Sequence, residues 1–236
     1  MKKSFFITGT DTGVGKTTVA AGLASAFRKK GLAVGVMKPV ETGCVEKDGA
    51  LVPADAIRLK EASGCKEPLD IINPYRFAPP VAPNVAARSA GVEIDLEVIV
   101  SCLSTLTNSY DVVIVEGAGG LMSPVTDTET MADLARYLTT PIVIVAPSRL
   151  GVINHTLLTA LAARTTGVQV AGVILNHPAP GDTGPENNLE EIERFTGIRV
   201  LGEIAYKKNG APDLRDAAQR LLGGTFLQKS SPQGFL

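Results

Sequence analysis

The sequence predicts an α/β fold: one domain built as a three-layer sandwich around a mostly parallel central sheet. Three observations predict it. Short β-branched runs alternate with amphipathic segments along nearly the whole chain, the pattern of a helix-covered parallel sheet. The run Val112-Val113-Ile114-Val115 is continuously apolar, as a central strand buried on both faces requires. Phe5-Phe6-Ile7 is followed by Gly9-Thr10-Asp11-Thr12-Gly13-Val14-Gly15-Lys16-Thr17 and then an amphipathic segment, which reads as strand, glycine-rich loop, helix. The 236 residues are ample for one such domain and a sizeable core, and the crossovers should be right-handed.

The glycine-rich loop organises the rest. Loops of this type turn backbone N–H groups toward phosphate oxygens, and the positive end of the following helix points at the same place. Lys16 can reach the terminal phosphates, and the Thr17 hydroxyl can ligate Mg²⁺. The chain is therefore P-loop NTPase-like. The strict pattern wants glycine at position 10, where this chain has Thr10, with Gly9 one residue early.

After the loop, Val19, Leu23, Ala26 and Phe27 share a helical face, and Lys29-Lys30-Gly31 closes the helix. A second strand covers 33–37 and should end near Pro39, which cannot donate to a ladder. Lys38 then falls at a carboxyl strand end, where parallel sheets gather ligands; a solvated surface charge is the alternative. Residues 44–53 read as a polar surface loop, and Pro53 and Asp55 open a short helix through Lys60. Their first-turn position is explained by capping and the helix dipole alone. Residues 68–92, with five prolines among them, read as an irregular excursion with a short strand near Tyr75–Phe77 and a helical turn near Val85–Arg88. Excursions of that length are usually functional or packed over a site.

From Asp95 a helix buries Ile99, Cys102, Leu103 and Leu106. The central strand follows and ends in Glu116-Gly117-Ala118-Gly119-Gly120. An acid there is where phosphate-loop proteins hold Mg²⁺ or its water, and the glycines let backbone approach a ligand. Thr126 and Glu129 read as a capping box ahead of a helix with Met131, Leu134, Ala135 and Leu138 inward. A strand over 142–146 leads to a helix whose stripe is Ile153, Leu157 and Leu161. The start of that helix, after Gly151, is in principle a second anion site. His155 has no sequence partner and reads as structural. A strand from Val170 ends at the polar Asn176. A loop over 178–187, a helix with Leu189, Ile192 and Phe195 stopped by Gly197, a last strand from Arg199 to Ile204 and a helix from about Asp213 to Leu222 complete the domain, residues 1–223. The tail, 224–236, is polar and expected to be loose.

Composition narrows the classes. Net charge is −1 and there is no Trp, which argues against a nucleic-acid or anionic-membrane surface. Cys44, Cys65 and Cys102 are odd in number and widely spaced, the usage of reduced thiols in a cytoplasmic protein. The apolar run behind Met1-Lys2-Lys3 is too short for a signal peptide, and nothing approaches the ~20 apolar residues of a membrane span.

Several stretches together resemble the dethiobiotin synthetase family: Gly9–Thr17, Lys38-Pro39-Val40 with Thr42-Gly43, and Val115–Gly120. Asn73-Pro74-Tyr75 with Phe77-Ala78, and Leu150-Gly151 with Ile153-Asn154-His155, are similar to further family segments. The resemblance covers about residues 4–205, and the family's phosphate loop itself has the extra residue. It implies ATP-dependent ring closure of 7,8-diaminononanoate with CO₂, through a carbamate and a carbamic–phosphoric anhydride. By that resemblance Lys16, Lys38 and Thr12 are catalytic. Gly13, Val14, Gly15, Lys16, Thr17, Thr18, Glu116 and Asn176 hold nucleotide, Asn176 through adenine. Thr12, Lys38, Thr42, Gly119, Leu150, Gly151 and Asn154 hold substrate, and Thr17, Asp55 and Glu116 hold Mg²⁺. The resemblance also implies a homodimer in which Leu150–Asn154 of one subunit take the distant carboxylate in the other's site. Several family members carry Glu where this chain has Gly13, so no role for that carboxylate carries over. The stretch around Pro212-Asp213 matches poorly, and no adenine contact is carried there.

The rival of a different class is a partition- or positioning-type switch ATPase of the same fold. Those proteins usually carry a second lysine early in the loop, where this chain has Thr10-Asp11, and a basic surface or amphipathic tail, neither of which is evident. A related amide-forming domain shares the loop and the Glu-Gly-Ala-Gly segment but not Lys38-Pro39-Val40 with Thr42-Gly43. A non-catalytic nucleotide module does not need the full set of lysines and acids.

Overall fold

Six parallel strands make the central sheet, in the spatial order β10 (Val200–Ile204), β9 (Val170–Asn176), β8 (Ile142–Pro147), β1 (Lys3–Gly9), β7 (Val112–Gly120) and β2 (Val34–Met37). The computed structural model describes residues 3–177, 187–205 and 212–224. In chain order, β1 (Lys3–Gly9) leads through the phosphate loop into α1 (Lys16–Lys29) and β2 (Val34–Met37). An excursion follows: β3 (Val40–Thr42), β4 (Val45–Lys47), β5 (Ala50–Val52), α2 (Ala54–Ser63), α3 (Leu69–Ile72), β6 (Tyr75–Phe77) and α4 (Pro83–Ala90). The sheet resumes with α5 (Leu96–Ser109), β7 (Val112–Gly120), α6 (Met131–Tyr137), β8 (Ile142–Pro147), α7 (Val152–Thr165), β9 (Val170–Asn176), α8 (Asn188–Thr196), β10 (Val200–Ile204) and α9 (Arg215–Gly223).

Both faces of the sheet are covered. Every residue of β8 and residues 112–117 of β7 are buried. Strands that alternate their side chains between faces can do this only with helices on each side. One continuous apolar core spans the sheet and its helices, and Phe5 of β1 stacks on Phe27 of α1 with ring centroids 6.2 Å apart. The register of β1 against β7 runs evenly from Lys3↔Val112 to Ile7↔Glu116, then slips so that Gly9 faces Gly120. The slip sets the stretch from Glu116 to Gly120 against the shorter one from Ile7 to Gly9.

Several local expectations change. Residues 44–53 are not an irregular loop but an exposed antiparallel hairpin, β4–β5. Asp48 and Gly49 both have positive φ, 53° and 76°, the conformation for which an Asp-Gly link is suited. The helical segments of 68–92 are longer than expected: α3 is present, and α4 starts with Pro83 and is capped by Gly91 in the left-handed region. The helix expected to end at Lys60 reaches Ser63 and stops at Gly64, φ 70°. The capping box belongs to Thr130 and Asp133, not Thr126 and Glu129. Thr126 and Glu129 do bond through side chains, but the Glu129 carbonyl accepts from Val125 and Thr126, closing a turn that delays the helix to Met131. On α7 the buried face is Val152, Thr156, Thr159 and Ala163, whereas Leu161 of the expected stripe is 50% exposed. That helix is apolar on most sides, so periodicity could not choose its face. The helix expected from Asp95 is α5, and the Asp95 carboxylate caps it by accepting from Glu97 N at 2.8 Å. The expected loop over 178–187 and the tail fall almost entirely outside the described residues.

Ile114, fully buried in β7, tests the core. Ile114→Ala should lower unfolding free energy by about 2–5 kcal/mol, read as a lower urea midpoint at unchanged slope; an unmoved midpoint would contradict a core centred on β7.

Candidate active site

The phosphate loop is held in shape by its neighbours. Thr10 N donates to the Val145 carbonyl at 3.0 Å, and the Asp11 carboxylate accepts from Thr12 N at 2.6 Å. Gly15 has φ 95°, and a Cβ there would lie 2.1 Å from the Asn176 amide nitrogen. Only glycine meets both conditions. The same Asn176 nitrogen donates to the Val14 carbonyl at 2.9 Å, so the end of β9 braces the loop. No side chain caps the start of α1 and no acid lies in its first turn, which leaves Lys16, Thr17 and Thr18 at an open, positive helix end. Gly13 has φ 76° with no atom within 4 Å of a Cβ placed there. A longer side chain at that position would meet open space and only backbone strain.

Beside the loop, three elements converge on one ammonium. Lys38, just past the end of β2, is 4% exposed. Its Nζ donates to Glu116 Oε1 at 2.7 Å and to the Gly117 carbonyl at 3.3 Å, and lies 3.0 Å from Asp55 Oδ2. Glu116 Oε1 also accepts from the Thr17 hydroxyl at 2.8 Å. The main chain of Lys38 is clamped as well: its N–H donates to the Ile72 carbonyl at 2.7 Å, and its carbonyl accepts from the buried Asn73 amide at 2.7 Å. Burial works against the Lys38 charge, but Glu116 and Asp55 outweigh it and hold its pKa above the ordinary lysine value. Burial likewise opposes ionisation of Asp55. The charge and hydrogen bond of Lys38, with Thr17 and Lys16, nevertheless keep its pKa below the usual carboxylate range.

Lys16 is placed differently. Its Nζ donates to the Asp11 carbonyl at 3.1 Å, a neutral partner. Burial and repulsion from Lys38 lower its pKa to about 8. Lys16, Thr17, Lys38, Asp55 and Glu116 thus lie in one cluster, Asp55 included as the family resemblance implied and not as a helix-start residue alone. Thr12 is exposed at the loop tip, with its hydroxyl 3.7 Å from where a Gly119 Cβ would stand. Thr42 is partly exposed at the end of β3. Leu150, Gly151 and Asn154 lie apart, at the exposed start of α7. They follow β8, two strand spacings from β7, or about 10 Å.

Two features were not legible beforehand. Gly117 was read as room for a ligand, yet a Cβ there would meet the Phe6 ring at 2.7 Å, so strand packing requires that glycine. Glu41 was passed over; it is 5% exposed, and its carboxylate accepts from the backbone N–H groups of Asp55 and Ala56. Desolvation raises its pKa despite those bonds. The only signal was an acid flanked by strand residues. A groove of about 830 Å³ between α4 and residues 125–129 is lined by Glu93, Asp95, Glu97, Asp127 and Glu129, with Arg88 paired to Asp127; acids outnumber the one cation there.

A family model described as an AAA domain matches residues 3–212. The chain is 47% identical over 220 residues to the ATP-dependent dethiobiotin synthetase BioD of Anaeromyxobacter sp. (strain K), covering 93% of this chain and 95% of that one. The chain belongs to the dethiobiotin synthetase family. A second member, from Anaeromyxobacter dehalogenans (strain 2CP-C), is 43% identical over 228 residues, covering 96% and 98%. Among solved structures, the chain is similar to one in the MinC:MinD cell division protein complex of Aquifex aeolicus (TM-score 0.59, 19% identity, covering 96% and 98%). It is also similar to a ParA family ATPase from Chlorobium tepidum TLS (TM-score 0.55, 18% identity, covering 95% and 90%). These two share the family's fold, and the synthetase relatives carry the assignment.

The lowered pKa of Lys16 sets a pH dependence. A polyanion binds the charged ammonium, and that form is lost as pH rises through about 8. Metal-free ATP binding should therefore weaken by up to about tenfold per pH unit above that point, and the slope should vanish in Lys16→Met. Calorimetric titration between pH 7 and pH 9.5 reads it; equal slopes in the two proteins would remove Lys16 from the phosphate site.

Proposed function

We propose that the protein closes 7,8-diaminononanoate and CO₂ into dethiobiotin, driven by ATP, with the Lys38 cluster and phosphate loop as the site of chemistry. Relatives named ATP-dependent dethiobiotin synthetase over nearly the full chain support the reaction. The observation that supports the site is Lys38 with Glu116 and Thr17 at the mouth of the loop.

One substrate amine attacks CO₂ and loses a proton, giving a carbamate. A carbamate oxygen attacks the γ-phosphorus of ATP, and the bridging oxygen leaves with ADP. The second amine attacks the carbonyl carbon of the resulting anhydride, loses its proton and expels phosphate, which closes the cyclic urea. Each step gathers anions at one place, so positioning and positive charge carry the catalysis. Lys16 and Lys38 supply that charge to the γ-phosphate and the carbamate. Thr12, Thr42 and Gly119 orient the diamine end. Gly13, Val14, Gly15 and Thr18 offer backbone and helix-end donors to phosphate, and Asn176 meets adenine. Residues 1–223 make up the synthetase domain, and 224–236, almost all outside the described residues, follow it.

The donor set suits Mg²⁺. Thr17, Asp55 and Glu116 are hard oxygen ligands, and Glu116 Oε2 is buried with no protein partner. Among the described residues no group of three or more His, Cys, Asp or Glu side chains is placed to hold a metal. Two carboxylates and a hydroxyl suit an ion that takes one or two carboxylates and completes its shell with phosphate and water. When bound, Mg²⁺ neutralises developing phosphate charge; the chain's own part is to hold the two carboxylates and the hydroxyl together.

We also propose a homodimer. Leu150, Leu158 and Leu161 are 92%, 56% and 50% exposed on and beside α7, an apolar surface that favours a covered position. Leu150, Gly151 and Asn154 of one subunit then grip the substrate carboxylate in the other's site. Three buried free cysteines support a reducing, cytoplasmic setting, and no helix among the described residues is long and apolar enough to cross a membrane.

Phosphate release from MgATP should require both the diamine and bicarbonate and match dethiobiotin one for one; release indifferent to the diamine would favour a switch ATPase instead. Glu116→Gln should raise the Mg²⁺ requirement by about tenfold or more, and an unchanged Mg²⁺ titration would remove Glu116 as a ligand. Asn154→Ala should raise the KM for the diamine while leaving that for ATP in place; equal rises in both would argue against the shared site.

A further inference from the structure

The helix that presents Asp55 has no cap of its own. The N-cap residue of α2 is Pro53, and no side chain of the turn bonds the helix start. Glu41, fourteen residues upstream in sequence, takes that place. Its Oε1 accepts from Asp55 N at 2.9 Å and its Oε2 accepts from Ala56 N at 3.0 Å. These belong to the second and third helical residues, the donors that an N-cap side chain ordinarily satisfies. A carboxylate bridging both is charge-assisted and lies at the positive end of the helix. Glu41 is 5% exposed, so water is poorly placed to replace it.

Asp55 is thereby held at two points. Glu41 grips its main chain, and Lys38 grips its carboxylate at 3.0 Å. Both grips come from one short segment, 38–41, whose own place is fixed by β2 and by the pairing of Glu41 with Arg76 across β3 and β6. Both Glu41 oxygens are spent on the helix, so Glu41 is not itself offered to a cation.

We infer that Glu41 is a positioning residue for the divalent cation. By capping α2 from β3 it sets where the Asp55 carboxylate stands relative to Glu116 and Thr17, and so sets the affinity of the site. This inference rests on the reading of Asp55 as a cation ligand given above.

The test is Mn²⁺ binding to the full chain with a non-hydrolysable ATP analogue, followed by electron paramagnetic resonance, beside the Mg²⁺ dependence of turnover. Glu41→Ala should weaken Mn²⁺ binding and raise the half-maximal Mg²⁺ concentration by about tenfold, with kcat recovered at saturating Mg²⁺. Glu41→Gln keeps one acceptor but turns an NH₂ donor toward the other N–H; it should fold and show an intermediate shift. Leu59→Ala, in the same helix and fully buried, should lower Tm without changing cation affinity. Normal Mn²⁺ binding in both Glu41 variants, or an equal loss in Leu59→Ala, would overturn the inference. Asp55→Asn separates the two readings. Normal Mn²⁺ affinity in that variant defeats Asp55 as a ligand, whereas loss there with normal affinity in the Glu41 variants defeats only the positioning role.

Discussion

A lysine ammonium held out of water is the constraint around which the site is built. An isolated charge in that position costs on the order of several kcal/mol, and only close, well-directed partners offset it. Lys38 finds them in Glu116 and Asp55, which come from β7 and α2. Three segments far apart in sequence must therefore meet within one hydrogen-bond radius. The parallel sheet brings two of them together, because β2 and β7 are paired neighbours with their carboxyl ends on the same side. The third is delivered by the excursion between β2 and α5, whose two small sheets and three helices carry α2 to the mouth of the loop.

The same charges give the two lysines different characters. Lys38 has two carboxylates against its single charge, and its proton is held tightly. Lys16 is close enough to be repelled by Lys38, while its direct hydrogen bond is to a neutral carbonyl, and its proton is held loosely. Lys38 keeps its charge against rising pH, while the charge of Lys16 depends on pH and on an incoming anion. Counted with Lys16, the two ammoniums and two carboxylates of the cluster balance, which leaves the charge of an incoming polyphosphate to be met. A buried carboxylate oxygen of Glu116 has no protein partner, so the arrangement favours an added cation.

Much of this was legible in the chain. Gly9–Thr17 implied strand, loop and open helix end, because the spacing of glycine, lysine and threonine has few other uses. Lys38 before Pro39 and Glu116 after Val112–Val115 were legible because a parallel strand's carboxyl end is marked by where its β-branched run stops. The misreadings came where local rules compete. Two consecutive Thr/acid pairs, Thr126 with Glu129 and Thr130 with Asp133, both satisfied the capping pattern, and the turn hydrogen bonds of Glu129 chose between them. Residues 44–53 carried the Asp48-Gly49 hairpin signal, but its flanks were too short and polar to stand out.

The sequence by itself determined the class of fold, the order of the strands and helices of the central sheet, and Lys16, Lys38 and Glu116 as residues that gather charge, whereas Asp55 read locally as a helix-start residue. Those are properties of local pattern: periodicity, backbone permissiveness and ligand chemistry. Tertiary structure decided which face of α7 is buried, why Gly117 cannot carry a side chain, and that Glu41 caps a helix whose own first residue is not a cap. Each of these depends on a neighbour distant in sequence: the Phe6 ring beneath Gly117, the backbone N–H groups of Asp55 and Ala56 beside Glu41, and the elements packed against α7. A single chain read in order does not contain those distances, because only packing closes them.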